Sequence, residues 1–440
     1  MKSLSAKNNV HIVFLMYWCV LVIWQNISSA TNRSGLDLAI KVVLLGMFTI
    51  YFFQHSQMVM GRAAVCFLLF VVCLAVPLFM RETFNLNILV SYLFPVLFVF
   101  LTVVLGGNFE INKKQLTTFL NVVIAVVVYM AIYAILFCTE QFTSAFALTS
   151  AYGNELTSFL VSSHEYGLYL VGGISGCIIC LNFKQAESFR SKLPYIAALL
   201  LLIPNLILTF SRTSIFGMVC ILLVYVVLNK KNKIKRYLII FGVIAVIVIA
   251  CAPALRSFFY SVVFKENKSA SRDILYAMAV DYYQDGSVTQ KLWGHGIEAS
   301  RNFFEQETTH GSVHNAYLQI LVYFGICGLF FMVAFLLIQM YANFQLLKKN
   351  RFWGAMFAAI LLMCIAVMMT NTAFIFNSSI DSYFLTIFAV VVPKYVRNSI
   401  YAGTFDTVEG ELPIGTIDIK KAAGNRAAHI GGFRSVLPRT

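Results

Sequence analysis

Apolar runs of bilayer-crossing length recur along the chain from Val10 to Val392, and this recurrence constrains the fold more than any other feature. A water-soluble domain buries apolar surface once, in a core, and cannot enclose so many such runs behind a polar shell. The composition agrees: 60% of the 440 residues are hydrophobic and 12% are charged, with a mean hydropathy of +0.79. Runs of about 17 to 25 residues are helices rather than barrel strands. The expected fold is an all-α integral membrane protein.

Hydropathy predicts about twelve transmembrane helices, near 10–27, 36–53, 63–80, 86–105, 116–138, 165–182, 194–210, 213–228, 237–252, 314–341, 353–370 and 376–393. A re-entrant element is an option within 139–164, and the last run contains Asp381, which is a proton site, a partner for an arginine, or part of an outer loop. Lys2 and Lys7 precede the first run, which ends near Ser28-Ser29-Ala30 and is read as an uncleaved span rather than a signal peptide. The organisation expected is spans 1–9 over 1–252, a large loop over 253–313, spans 10–12 over 314–397, and a flexible cytoplasmic tail over 398–440.

The net charge of +14 raises the question of nucleic acid, but no basic stripe interleaved with aromatics is present. The cations lie instead in alternate connecting segments. With both termini cytoplasmic, the short inner segments hold eighteen Lys and Arg and the outer ones four: Arg33, Arg81, Arg212 and Lys41. That asymmetry orients the chain. It makes Pro253–Val313 an extracytoplasmic loop of 61 residues between spans 9 and 10, with six basic and seven acidic side chains. Within it, "SRDILYAMAVDYYQDG" predicts an amphipathic helix with Ser271 as N-cap, Ile274, Leu275, Met278 and Tyr282 on one face, and Asp285-Gly286 as the stop. "WGHG" then supplies an aromatic residue and a flexible turn.

All ten cysteines lie in or beside apolar runs, so no disulfide framework is expected; Cys177 and Cys180, spaced as CxxC, enclose two isoleucines and read as buried small residues. His310 and His314 have i, i+4 spacing, yet Gly311 lies between them and no HExxH glutamate accompanies them. Glu305 and Glu307 read as a solvated loop. No Walker loop or dinucleotide fingerprint occurs. Neither a metal nor a cofactor is expected, and energy then comes from the substrate or from a gradient.

Four places hold polar groups that the solvent does not require. "LTFSRTSIFG" sets Ser211 and Arg212 in a tight outer hairpin, where Arg212 either snorkels or meets an anion; a cation there opposes the positive-inside bias. Arg272 opens the loop helix, where the macrodipole favours anions over cations, and it is either solvated, paired with Asp273, or a phosphate ligand through its planar fork. His314 and Asn315 open the tenth run, as a cap or as catalytic groups, since an imidazole with an ordinary pKa near 6.5 can take a proton from an attacking hydroxyl. "SSHEYG" places His164 and Glu165 at the outer start of the sixth run, as interfacial anchors or as sugar ligands.

Taken in order, "LTFSRTSIFG", "SRDILYAMAV…WGHG" and "HNAYLQILVYFGICGL" resemble the O-antigen ligase and polymerase family of bacterial envelope glycosyltransferases. The layout of spans and the outer loop before the tenth are similar to that family, so the resemblance extends over most of the chain. It implies transfer of glycan from a polyprenyl-pyrophosphate carrier, without metal or nucleotide, at the outer face of the cytoplasmic membrane. By that resemblance Arg212 and Arg272 engage the pyrophosphate, and His314 positions or deprotonates the acceptor hydroxyl for inverting attack. Asn315 and Tyr317, of the "HN-x-YL" stretch, and His164 and Glu165 bind substrate. "SSHEYG" departs from the asparagine- and proline-rich wording common there in relatives. The partners implied are the lipid-linked donor, a glycan acceptor, the bilayer, and a chain-length regulator and flippase. A polymerase is the expectation, since "HNAYLQIL" lacks the acidic residue that often follows the HN pair in ligase-like relatives. A ligase acting on lipid A-core is the alternative, and a lipid or polysaccharide transporter the alternative of another class.

Overall fold

A computed structural model describes residues 10–30, 34–55, 60–79, 95–146, 155–160, 162–184, 187–228, 269–307, 313–371 and 380–405. The ninth predicted span (237–252), the first part of the outer loop (253–268), His310 and the tail beyond 405 lie outside these residues. Every regular element among the described residues is helical. In order these are α1 (Val10–Ala30), α2 (Ser34–His55), α3 (Arg62–Phe79), α4 (Pro95–Asn108), α5 (Lys113–Phe137), α6 (Thr139–Phe146), α7 (Ser163–Phe183), α8 (Phe189–Leu208) and α9 (Arg212–Leu228). They continue as α10 (Ser269–Gln284), α11 (Val288–Trp293), α12 (Ile297–Glu307), α13 (Ala316–Lys349), α14 (Arg351–Met368), α15 (Ile380–Thr386) and α16 (Val392–Ala402), with a π-helical turn at Ile387–Val391.

Five of these, α5, α7, α8, α13 and α14, are long and apolar enough to cross a bilayer. Their outer faces identify the solvent. Tyr129, Ile132 and Leu136 on α5, Leu200, Ile203 and Ile207 on α8, and Phe216, Val219, Leu223 and Val227 on α9 are exposed apolar side chains at helical spacing. Such stripes fit lipid and not water. The chain is a helical membrane protein.

The middle of the bundle is α7, buried along almost its whole length. Its glycines make that possible: a Cβ on Gly172 would overlap the Phe384 ring, and one on Gly173 would meet Val127 and Leu202. Small residues let membrane helices approach where no hydrophobic effect drives them together. The two ends of the bundle differ in chemistry. At one end lie Lys113 over the Phe183 ring, Lys349 over the Tyr401 ring, and the Asn350 joint shared by α13 and α14. His164, Arg212 and Ala316 lie at the opposite ends of α7, α9 and α13.

Several expectations need correction. The tenth run is not one straight span from 314 to 341. A continuous helix of 34 residues would be roughly 51 Å long, whereas the path through α14 to Asn371 climbs only roughly 31 Å. Both start at Asn350, and both end together, where the Ala316 N–H donates to the Asn371 carbonyl at 3.2 Å. The difference is absorbed at Gly325, whose φ of 68° and ψ of −172° break the helix. Residues 316–324 form a short arm across the bundle end, and the span is 326–349. The exposed apolar stripe of α13 accordingly begins at Ile326 and runs through Phe330, Leu337, Tyr341 and Phe344.

The loop helix starts at Ser269, two residues before the expected cap. Its buried face is Leu275 and Ala279, while Ile274 is 60% exposed and points away. Residues 139–164 hold the short helix α6, and Leu156 then returns to the end of α8, its N–H donating to Leu208 at 3.1 Å. At the far end, α16 continues past 398 to Ala402 and closes on Gly403 in the left-handed region, so the tail begins later than expected. Asp381 lies in the first turn of α15 rather than in a loop.

Candidate functional site

Four helices present their N-terminal ends, or the turns next to them, at the end of the bundle opposite the lysines. The chain of contacts begins on α7. Ser162 accepts from the His164 N–H and caps the helix, and Ser163 donates to Glu155 at 2.5 Å. The His164 Nδ1 is 2.9 Å from the Ser211 hydroxyl. Ser211 in turn lies 2.9 Å from the Ser214 hydroxyl, which donates to the His164 carbonyl at 3.5 Å. This ring of polar contacts is closed in by Gly167, where a Cβ would strike Ser214. Phe210, at φ 49°, makes the sharp reversal that lets Ser211 and Arg212 start α9 directly under α7.

From α9 the chain passes to α14. Thr213, the neighbour of Arg212, has its hydroxyl 2.9 Å from that of Thr370. Beside Thr370, the Met369 carbonyl accepts from the Tyr276 hydroxyl at 3.4 Å, and the same hydroxyl reaches the His314 carbonyl at 3.5 Å. Tyr276 is one helical turn beyond Arg272 and shares its face of α10. His314 adopts φ 53°, a left-handed conformation that histidine visits more often than most residues. That turn frees Asn315 to cap the 316–324 arm, its side-chain oxygen accepting from the Tyr317 and Leu318 N–H groups at 3.0 and 3.1 Å.

All four polar places of the sequence thus meet at one bundle end, joined through Ser211, Thr213, Thr370, Met369 and Tyr276. Arg212 and Arg272 sit in the first turns of α9 and α10, where their charge adds to the positive helix dipoles. Glu165 lies in the first turn of α7, where a carboxylate complements the dipole. Two helices also end at this place, α8 and α14: the Leu208 carbonyl accepts from the Leu156 N–H, and the Met369 and Asn371 carbonyls are taken by Tyr276 and Ala316. The result is a bundle end at which the first turns of α7, α9 and α10 and the turn before α13 place His164, Arg212, Arg272 and His314 at the edge of the apolar bundle. Such a site suits an anion that carries its own apolar tail.

Two expected ligands are placed in structural roles. Asn315 commits its carboxamide oxygen to the arm's N-cap. Tyr317 turns its hydroxyl into α14, donating to the Ile365 carbonyl at 3.1 Å, and so fastens the arm. The contacts that sequence reasoning missed are Ser214, Thr213, Thr370 and Tyr276. Spacing carried part of the signal, since Ser211 and Ser214 are i, i+3 and Arg272 and Tyr276 are i, i+4. The partnership of Thr213 with Thr370 is tertiary only.

The "WGHG" turn has a more definite task than flexibility. Breaking the helix at Gly325 leaves the Val322 and Tyr323 carbonyls without their usual donors, and the His295 and Gly296 N–H groups supply them at 2.9 and 3.1 Å. The backbones touch: a Cβ on Gly294 would overlap the Tyr323 carbonyl, and one on Gly325 the Leu292 carbonyl. Both glycines have positive φ, 90° and 68°. Above this contact Tyr282 stacks on His295, with centroids 4.2 Å apart, and on Phe303 at 4.1 Å. Burial lowers the pKa of His295 and keeps its ring neutral, with the Tyr282 backbone acting in the opposite direction. The outer helices are thereby locked to the arm that carries His314.

No curated protein sequence matches the chain. The model of a family described as O-antigen ligase matches residues 197–333, a segment that runs from α8 through the outer helices into α13. It contains Arg212, Arg272, His314, Asn315 and Tyr317, with the Gly325 break and the turn that docks on it, and leaves His164 and Glu165 outside. Over this segment, the part of the chain that builds most of the site, the protein is similar to the family described as O-antigen ligase.

Proposed function

We propose that the protein is a polymerase of surface polysaccharide, transferring glycan from a polyprenyl-pyrophosphate donor to a sugar hydroxyl of a lipid-linked repeat unit. The observation that carries this reading is the convergence of Arg212, the Arg272–Tyr276 turn and His314 at one end of an apolar helix bundle. A lipid-linked substrate demands that combination, with its prenyl chain in the membrane, its pyrophosphate at the boundary and its sugars in water. The family match supports glycan transfer of this general type.

In the proposed reaction the acceptor hydroxyl attacks the anomeric carbon of the donor sugar from the face opposite the pyrophosphate. The bond from that carbon to the phosphate oxygen breaks as the new glycosidic bond forms, and the configuration inverts. His314 takes the hydroxyl proton. Arg212 and Arg272 hold the polyprenyl pyrophosphate as negative charge grows on it, an interaction stronger in the transition state than in the ground state. The Ser211–His164 contact orients the hairpin that presents Arg212, and His164 with Glu165 faces the acceptor. No nucleotide or metal takes part. With the lysine-rich bundle end cytoplasmic, the site faces the periplasm or the cell exterior.

The test is glycan synthesis by purified protein in liposomes, supplied with a polyprenyl-pyrophosphate oligosaccharide and EDTA and no nucleotide. A ladder of lengthened lipid-linked glycans, lost in Arg212→Ala and in His314→Ala, is the expected outcome. Product formed only when lipid A-core is added would replace polymerase by ligase. Absence of product with either acceptor, together with movement of the donor across the bilayer, would replace both by a transporter.

A further inference from the structure

The bundle end opposite the site holds a second concentration of cationic groups, and its hydrogen bonds do not close. There α16 lies along the end of α4 and the turn that follows it, where the helix changes from π-helical (Phe100–Val104) to 3₁₀ (Leu105–Asn108). Unwinding of this kind exposes carbonyls, and α16 takes them up. The Lys394 ammonium donates to the Val103 carbonyl at 2.5 Å, the Tyr395 hydroxyl to Thr102 at 3.2 Å, and the Asn398 amide to Gly107 and Phe109, both at 2.9 Å. The Gly106 carbonyl accepts from the Phe109 N–H, and the Glu110 carbonyl lies 3.0 Å from the His11 ring nitrogen.

Arg397, one turn from Lys394, has a buried Nη1 with no hydrogen-bond partner. Glu110, in the turn after α4, accepts from the Thr404 hydroxyl at 2.7 Å, and no ion pair to Lys394 or Arg397 occurs among the described residues. A buried guanidinium N–H with no acceptor, one turn from a second, partly buried cation, is a costly arrangement unless an anion completes it. Lys113 and Lys349, held over aromatic rings at the same end, add to the positive field. This end meets the headgroup region if the apolar stripes of α5, α8 and α13 span the hydrocarbon.

We propose that Lys394 and Arg397 form a binding site for a phosphate group, with the Arg397 fork as the principal ligand. The phosphate is carried by an anionic phospholipid headgroup or is free in solution, and the test separates these sources. Protein purified in a mild detergent and delipidated is mixed with phosphatidylglycerol, with phosphatidylethanolamine or with inorganic phosphate, and bound species are counted by native mass spectrometry. The expected result is retention of one phosphatidylglycerol at least tenfold above phosphatidylethanolamine. That retention falls to the phosphatidylethanolamine level in Arg397→Gln and is unchanged in the exposed-cation control Arg190→Gln. Displacement of the lipid by millimolar inorganic phosphate, again only when Arg397 is present, assigns the same site to the free anion. Because Arg397→Gln alters a partly buried position, Arg397→Lys is measured beside it: the charge persists but the fork does not, and retention should fall partway. Equal retention of the two lipids by the native protein, or identical retention in the native and Arg397→Gln proteins, would overturn the proposal.

Discussion

Ser211 illustrates how a small side chain acts at the residue scale. Its hydroxyl joins the His164 ring to Ser214 and so fixes the hairpin that carries Arg212. Ser211→Ala removes three hydrogen bonds in a buried setting, to the His164 ring, to the Ser214 hydroxyl and from the Ser214 N–H, each of about 1 kcal/mol. Transfer should slow by roughly tenfold, through kcat more than KM, in the liposome assay. His314→Ala should cost more, on the order of 10² to 10⁴ in kcat, if the imidazole takes the proton, and added imidazole should restore part of the rate. A larger effect of Ser211→Ala than of His314→Ala would remove His314 from the reaction. The sequence pointed to Arg212, Arg272 and His314 because each is a polar group placed where the membrane does not need one. Tyr276 was invisible as a connector, since an aromatic residue on an amphipathic face reads as packing until the carbonyls it reaches are known.

At the element scale the dock between the "WGHG" turn and the Gly325 break is the feature most open to test. Gly325→Ala puts a Cβ against the Leu292 carbonyl at a positive φ, a conformation costing about 1 to 3 kcal/mol before any steric overlap. Limited proteolysis should then cut the outer helices between α11 and α12 much faster than in the native protein, while the spans stay intact. The dock should also respond to pH. His295 is held neutral by burial, its pKa lowered in the folded state, so the undocked chain binds more protons. Stability of the dock is therefore complete above the ordinary histidine value of about 6.5. It is lost progressively as the pH falls below that value toward the lowered folded pKa. Protection of the His295 and Gly296 amides, measured by hydrogen exchange relative to the intrinsic rate at each pH, should fall between pH 7.5 and 5, and His295→Gln should abolish that fall. The turn was legible as a turn. That it completes a broken helix was not, because the break depends on a glycine that hydropathy scores as part of a span.

For the whole molecule, charge asymmetry along the sequence and the two chemically distinct ends of the bundle give one consistent orientation. A cysteine introduced at Glu298 should react from outside intact cells with a membrane-impermeant maleimide, above the background of the native cysteines. One introduced at Lys192 should react only after the membrane is permeabilised. The reverse pattern would turn the molecule over and place the site in the cytoplasm. The bundle also explains why the site lies where it does. The buried α7 sets the depth of His164, α9 lies against α7 at Gly167, and α14 lies against α9 where Gly217 admits Met363. Each N-terminus is held level with the next by close packing rather than by loops.

Helical class, apolar spans and the choice of candidate polar residues follow from the sequence alone, since transfer free energy acts on each segment independently and charge bias acts on each loop. The tertiary structure decided what those local terms do not contain. It divided the tenth apolar run into an arm and a span, because an arm across the bundle end brings Ala316 to Asn371 where a straight helix would overshoot by roughly 20 Å. It turned Asn315 and Tyr317 toward the arm's cap and α14, because backbone groups near the apolar interior require partners. It brought Arg212, Tyr276 and His314 together across gaps of tens of residues, a convergence that depends on which helices pack against which.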